Sequence, residues 1–312
     1  MPKTIKLSEK LPVDKKITLI IGSGFHNYAL NSNNSILTNW NLLLQSVFPS
    51  SENHFDNYIL EFEKRLVEKT SQQNVNAADE IEKKCLEKLT KTIKVEQSKL
   101  IKQKKYNFPF FLFNSSIIDN VISLNYDLIP ELILNGGKKP KVIQSCDKEN
   151  IRKNSNSCRH RIVNGINFWH PHGDIENCDS LILGLRHYAQ HLKDIENMRT
   201  LSKSEAEQKG KIRTWYDAIL NNPVLIIGAG LSDSEWDIWT VLVNRERNFA
   251  KKKNKKKYRF GVYMMKSDCQ NNKPNNHNNW IKPIFEKKYC FDKQWEMLES
   301  MFKNNDRTFL LQ

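Results

Sequence analysis

The residue of this chain best suited to acid–base work is His172, which stands directly before a glycine in FWHPHGD. Imidazole titrates near neutral pH and can take a proton from a hydroxyl or a water. Asn125 and Asp127 lie two residues apart in ISLNYD, at the end of an apolar run. An amide is both donor and acceptor, so it can place a water or a sugar hydroxyl, and a carboxylate can orient a hydroxyl or a carboxamide. Two further stretches end an apolar run in a glycine turn. One is LIIGSGFH, with Gly22, Ser23 and Gly24; the other is LIIGAGLSD, with Gly228, Gly230, Ser232 and Asp233. Glycine there lets the backbone approach a diphosphate, and N–H groups at a following helix start can bind the phosphates. Together the four stretches read as contact points of one nucleotide pocket.

Each stretch also has a plainer reading. The first turn lacks the third glycine of the dinucleotide fingerprint, because Asn27 stands there, and a simple strand-to-helix turn uses the same glycines. Ser232 can cap the helix through Trp236 and Trp239, with Asp233 in its first turn. Asn125 and Asp127 can be caps at a polar junction. His172 can be structural, or can bind a metal together with His170, although no nearby Glu or Cys has ligand spacing.

These residues need a sheet whose carboxyl edge brings their loops together. Strand patterns fall at 17–21, 121–124, 141–144, 166–169, 180–183, 224–227 and 259–265, alternating with helical patterns. The expected class is therefore α/β, a Rossmann-like parallel sheet with helices on both faces and helical insertions. Trp40, Leu43, Leu44 and Val47 share one helical face, as do Phe55, Ile59, Phe62 and Leu66. Residues 70–107 are polar and rich in Lys, Glu and Gln, yet Ile81, Cys85, Leu86, Leu89 and Ile93 form a stripe. The stripe fits a helix packed on the main sheet, or a helical subdomain used for assembly. Residues 185–218 are expected to be helical too. The expected organisation is one domain over 1–312, with a helical insertion at about 70–107.

Composition bounds the rest. The chain has 312 residues, 39% of them hydrophobic, and a formal charge of +14 that favours anionic partners. The apolar run at 17–21 is far too short to span a membrane. The six cysteines have no disulfide-scaffold spacing, so free thiols in a reducing cytoplasm are expected. Cys146, Cys158 and His160 form only a loose cluster, and no C-x-x-C occurs, so no zinc is expected. The basic run at 251–257, KKKNKKK, reads as a solvated loop; its lysines are not interleaved with aromatics, so nucleic-acid binding is the less favoured use.

The ordered motifs resemble the sirtuin-like superfamily, and within it the zinc-less bacterial NAD hydrolases. IGSGF is similar to the family's GAG-type turn, and Trp40 with the following leucines to its W-x-x-LL element. LNYD resembles T-x-N-x-D, HPHGDI with LILGLRHY resembles the HGDI segment, and IGAGLSD resembles G-x-S-L-S-D. The resemblance covers about residues 17 to 240. Departures argue against acyl-lysine deacylation: the paired zinc cysteines are missing, and Phe25-His26-Asn27-Tyr28 replaces the deacylases' Pro- and Arg-bearing segment. Ser23 stands for the usual Ala, and His187-Tyr188 for the usual Asp-Tyr.

The resemblance implies NAD as substrate. Gly22, Ser23, Gly24, Gly228 and Ser232 would hold the diphosphate and adenosine end; Asn125 and Asp127 would face the nicotinamide ribose; His172 would be the general base. Nicotinamide in NAD is a cationic leaving group that needs no proton donor, and general-base help is typically worth ~10²–10⁴-fold. The implied products are nicotinamide and ADP-ribose, and the implied role is NAD depletion in antiphage defence. Control is expected from homo-oligomer assembly, from a partner chain such as the HerA-like ATPase known in the family, or from both. The rivals are a zinc-independent deacylase or ADP-ribosyltransferase using the same pocket, and a basic nucleic-acid-binding module.

Overall fold

The computed structural model describes residues 16–30, 35–48, 58–71, 78–103, 106–145, 156–204, 212–231, 235–251, 261–265, 281–285 and 290–309. Strand β1 (Ile17–Ile21) is buried along its length, with Thr18 its one polar residue, and α1 (Ser23–Leu30) follows directly across Gly22. Helices α2 (Trp40–Val47), α3 (Tyr58–Ser71), α4 (Ala78–Gln103) and the short α5 (Phe110–Phe113) come next. The Asn39 side chain caps α2 by accepting from the Asn41 and Leu42 N–H groups. Then follow β2 (Ile118–Ser123), α6 (Ile129–Leu134), β3 (Val142–Gln144), β4 (Arg159–Val163) and β5 (Ile166–Trp169). The chain continues through α7 (Leu185–Ser204), α8 (Trp215–Asn221), β6 (Val224–Ile227) and α9 (Trp236–Lys251). It ends with β7 (Val262–Met265), β8 (Ile281–Pro283) and α10 (Phe291–Phe309).

The eight strands form one sheet in the order β3-β4-β5-β2-β1-β6-β7-β8. From β5 to β8 all neighbours are parallel, and β3 and β4 add an antiparallel edge. The strand order turns back at β1, whose neighbours are β2 and β6. That reversal opens a crevice at the carboxyl ends of β1 and β6, where sheets of this class bind ligands.

Alternation along the strands divides the core. Leu19, Ile21, Val121, Leu225 and Ile227 pack on one face with Phe113, Trp295, Leu298 and Phe302. Ile20, Ile122, Val224 and Ile226 pack on the other with Ala218, Ile238, Val241 and Leu242. Helices therefore cover both faces, as expected. A third cluster joins α2, α3 and α4 to the segments that follow β2 and β5, through Leu44, Phe62, Leu89, Tyr126, Ile175 and Leu183.

This third cluster corrects the assembly reading of the α4 stripe. Ile81, Cys85, Leu86, Leu89 and Ile93 are all buried within the chain, Leu89 completely. They face α2, α3 and the loop after β5 and so offer no apolar face to a second copy. Arg186 and His187 lock the same layer from below: Arg186 pairs with Asp79 at 3.0 Å and also with Glu82, and His187 lies 3.4 Å from Glu82.

Residues 180–183 are not a strand. A 3-10 turn covers Cys178–Ser180, and the next residues run as a loop. Leu181 and Leu183 are apolar because they enter the third cluster. The backbone of Ile182 is satisfied by the His172 carbonyl (2.8 Å) and the Tyr126 hydroxyl (2.8 Å), not by a sheet neighbour. Conversely, β4 escaped the strand pattern. Its connection to β5 is Asn164-Gly165, with φ of 52° and 78°, the two-residue turn that favours a hairpin. The expectation of free thiols holds for Cys85, Cys178 and Cys290, whereas Cys158 is in a disulfide. No helix among the described residues is long and apolar enough to cross a membrane.

Candidate active site

The two glycine turns meet at the crevice, and they touch each other. Gly22 N–H donates to the Ile227 carbonyl at 3.2 Å, and Gly24 N–H to the Gly228 carbonyl at 2.8 Å. A Cβ on Gly22 would lie 2.8 Å from Ala229 Cα, and one on Gly24 2.8 Å from Gly228 Cα. Gly228 has φ +66°, and its Cβ would lie 2.1 Å from the Phe25 nitrogen. These three glycines thus let the loops interlock, a demand separate from any phosphate. Gly230 differs: it is exposed, and a Cβ there would meet nothing within 4 Å. Ser232 and Asp233 lie outside the described residues, as do residues 252–257 of the basic run.

Ser23, Asn125 and Asp127 line one small cavity together with Asn39, Trp40 and Leu43. Trp40 closes it edge-on against Tyr126, with ring centroids 5.3 Å apart. Its volume is about 20 Å³, room for roughly one water. Small-molecule sites span about 300–1,000 Å³, so this cavity by itself does not hold a dinucleotide.

Inside this cavity Asn125 and Asp127 are in different states. The Asn125 backbone N–H donates to Ser123 Oγ at 3.3 Å, and its carbonyl accepts from His170 Nδ1 at 3.1 Å. Its side-chain Nδ2 is buried with no protein partner. Asp127 is engaged on both oxygens. Oδ1 accepts the Ile129 N–H at 3.0 Å at the start of α6, and Oδ2 is 2.8 Å from His26 Nε2. Burial pushes this carboxyl up, but His26 outweighs it and the net shift is downward. His26 in turn reaches the Tyr106 hydroxyl at 2.5 Å. Asp127 therefore ties α1 to the Asn125 turn.

His172 is buried, and its Nε2 lies 2.7 Å from Asp237 Oδ2 in the first turn of α9. Asp237, Glu235 and the Leu124 backbone all favour the charged imidazole. Burial works against that charge, but Asp237 prevails and the histidine titrates above its ordinary value; Asp237 is held well below the carboxylate range. His191 of α7 brings its Nε2 to 3.2 Å from the same Oδ2.

His170 points elsewhere. Its Nε2 lies 2.6 Å from Glu131 Oε1 on α6, so it shares no ligand position with His172, and the metal pairing of these two histidines is corrected. Gly173 between loop and turn has φ +84°, and a Cβ would sit 2.1 Å from the Ser180 carbonyl. Only glycine fits directly after His172. Asp174 anchors β4 by accepting from Arg159 at 2.6 Å and Arg161 at 2.9 Å.

A family model described as SIR2-like domain matches residues 119–284, from β2 to the end of β8. The chain belongs to the SIR2-like domain family. No curated protein matches it. Membership fits an enzyme that uses NAD. The SIR2-like match contains Asn125, Asp127, His172 and Gly228, while Gly22, Ser23 and Gly24 precede it and join the site through the loop contact described above.

Sequence reasoning missed His26, the buried partner of Asp127, and Asp237 and His191, the buried neighbours of His172. His26 was visible only as part of a departure from the deacylase pattern. Asp237 stands 65 residues from His172, and nothing in its own segment, SEWDIW, distinguishes it from an acidic residue placed at a helix start for the dipole.

Proposed function

We propose that this SIR2-like chain is an NAD hydrolase, cleaving NAD to nicotinamide and ADP-ribose, and that its role is NAD depletion in antiphage defence. The observation that carries the chemistry is the buried Asn125 amide, unpartnered at Nδ2, in one cavity with Ser23 at the β1 turn. A buried amide without a partner costs roughly 1–3 kcal/mol, which a bound water or ribose hydroxyl would recover. The glycosidic bond breaks toward an oxocarbenium-like state. Asn125 orients the ribose or the attacking water, and His172 takes the proton. Asp127 holds α1 and the Asn125 turn in register.

In the closed arrangement Asp237 occupies His172 Nε2 and favours the protonated ring, so that nitrogen has no lone pair to offer. The small cavity at Asn125 also has room for roughly one water. Both facts favour an enzyme whose resting form is off, as an NAD-depleting enzyme must be. Opening of α2 would admit NAD and free His172. Homo-oligomer formation or a partner chain, of which a HerA-like ATPase is one kind, supplies the control in this reading; the α4 stripe, being core, does not. The antiphage role rests on the resemblance to zinc-less bacterial NAD hydrolases.

The test offers NAD with and without an acylated peptide. Nicotinamide release that is independent of peptide, with free ADP-ribose, supports hydrolysis. Release that requires the peptide, or ADP-ribose found attached to protein, assigns the site to deacylation or transfer instead.

A further inference from the structure

Beside the Asn125 cavity, His172 belongs to a constellation whose other members, His191 and Asp237, have no role in the proposed hydrolysis. His172, His191 and Asp237 each present one ligand atom, and these atoms all lie within 4.8 Å of one another. The three residues come from the loop after β5, from α7 and from α9, and all are buried. The hydrogen bonding among them is incomplete. His191 Nε2 is 3.2 Å from Asp237 Oδ2 yet makes no hydrogen bond, and Asp237 Oδ1 is fully buried with no donor. Glu235 adds further negative charge toward His172.

We infer that His172, His191 and Asp237 form a site for a divalent transition-metal ion of the zinc type, and that the bound ion blocks NAD cleavage by occupying His172 Nε2. Two imidazoles and a carboxylate are a donor set suited to such ions. Zinc bonds of about 2.0–2.2 Å in tetrahedral array put neighbouring ligand atoms about 3.3 Å apart. Asp237 Oδ2 lies 2.7 and 3.2 Å from the two histidine nitrogens, and all three ligand atoms lie within 4.8 Å of one another, so closing on an ion takes side-chain adjustments of an ångström or so. A cavity of about 580 Å³, lined by Asn156, Ser180, Arg186, His191 and Asp194 among others, reaches His191 and gives a route from solvent. This site is unrelated to paired zinc cysteines, which the chain lacks.

The inhibitory half rests on the proposed hydrolase reading, because an ion on Nε2 takes the lone pair that a general base needs. The site itself does not rest on it. The experiment strips the full chain with a chelator and titrates it with Co2+, following visible absorption, and assays NAD cleavage with and without Zn2+. His191→Phe keeps a ring against Trp215, on which His191 stacks, and removes the nitrogen ligand. His191→Ala repeats the test if the larger ring does not fold, and His191→Cys restores a ligand. Expected are stoichiometric cobalt bands in wild type and His191→Cys, their loss in His191→Phe, and NAD cleavage that zinc stops in wild type but not in His191→Phe. No stoichiometric binding by wild type, or binding that persists in both His191→Phe and His191→Ala, overturns the site. Binding that leaves NAD cleavage unchanged or raises it overturns the block. Cobalt bound through His191 by a chain that cleaves no NAD supports the site and removes the hydrolase reading.

Discussion

Two buried histidine–carboxylate clusters flank the crevice, and they differ in how completely they are satisfied. In the first, His26 bonds Asp127 and Tyr106, and Asp127 also caps Ile129, so every ring nitrogen and carboxylate oxygen has a partner. In the second, His172 is satisfied, but Asp237 Oδ1 and His191 Nε2 have no hydrogen-bond partner. The residue types are the same. A saturated cluster holds elements together; one with orphan atoms is ready for a ligand, because buried polar groups are rarely left unpaired without a use. The first cluster is accordingly assigned to architecture; in the second, His172 belongs to the proposed chemistry and His191 to the proposed ion site.

The largest effect that would break this assignment is catalytic. His172→Ala is expected to lower nicotinamide release from NAD by about 10²–10⁴-fold while the circular dichroism spectrum is kept. Asn125→Ala is expected to do the same. Full activity in either folded variant removes it from the chemistry. The contrasting prediction concerns stability. His26→Phe leaves Asp127 Oδ2 buried without its hydrogen-bond partner and should cost about 1–3 kcal/mol in denaturant unfolding. His191→Phe leaves Asp237 still paired with His172 and should cost clearly less. Equal losses would erase the distinction between the two clusters.

The helical layer provides a third comparison. Leu89→Ala is expected to destabilise the chain by about 2–5 kcal/mol, since this side chain is completely buried. Replacing Leu86 and Leu89 by Asp should unfold the layer, seen by circular dichroism, rather than merely dissociate an assembly, seen by light scattering. The smallest effect separates the glycines. Gly230→Ala faces open space and should change stability by less than about 0.5 kcal/mol. Gly228→Ala combines a positive φ with a backbone clash at Phe25 and should abolish the docking of the two turns.

Much of this was legible in the chain. The strands at 17–21 and 224–227 are continuous apolar or β-branched runs, and that at 166–169 is apolar apart from Asn167; all three are where expected. The loops that carry Asn125, His172 and the glycines follow from those strands by simple α/β connectivity. Residues 180–183 misled because an apolar run tells of burial, not of backbone pairing. The α4 stripe misled for the same reason: periodicity fixes which face is apolar, and only packing shows what covers it. His191 and Asp237 were illegible because α7 and α9 meet only in the folded chain. The glycines of the two turns were read for phosphate approach, whereas three of them are required by a contact between loops that lie about two hundred residues apart.

The most direct test of the central claim follows nicotinamide and free ADP-ribose together, from purified wild-type protein and NAD over a range of protein concentrations. Equimolar release of both by wild type, absent in Asn125→Ala, is the predicted result. No release at any concentration, or nicotinamide without matching free ADP-ribose, contradicts it.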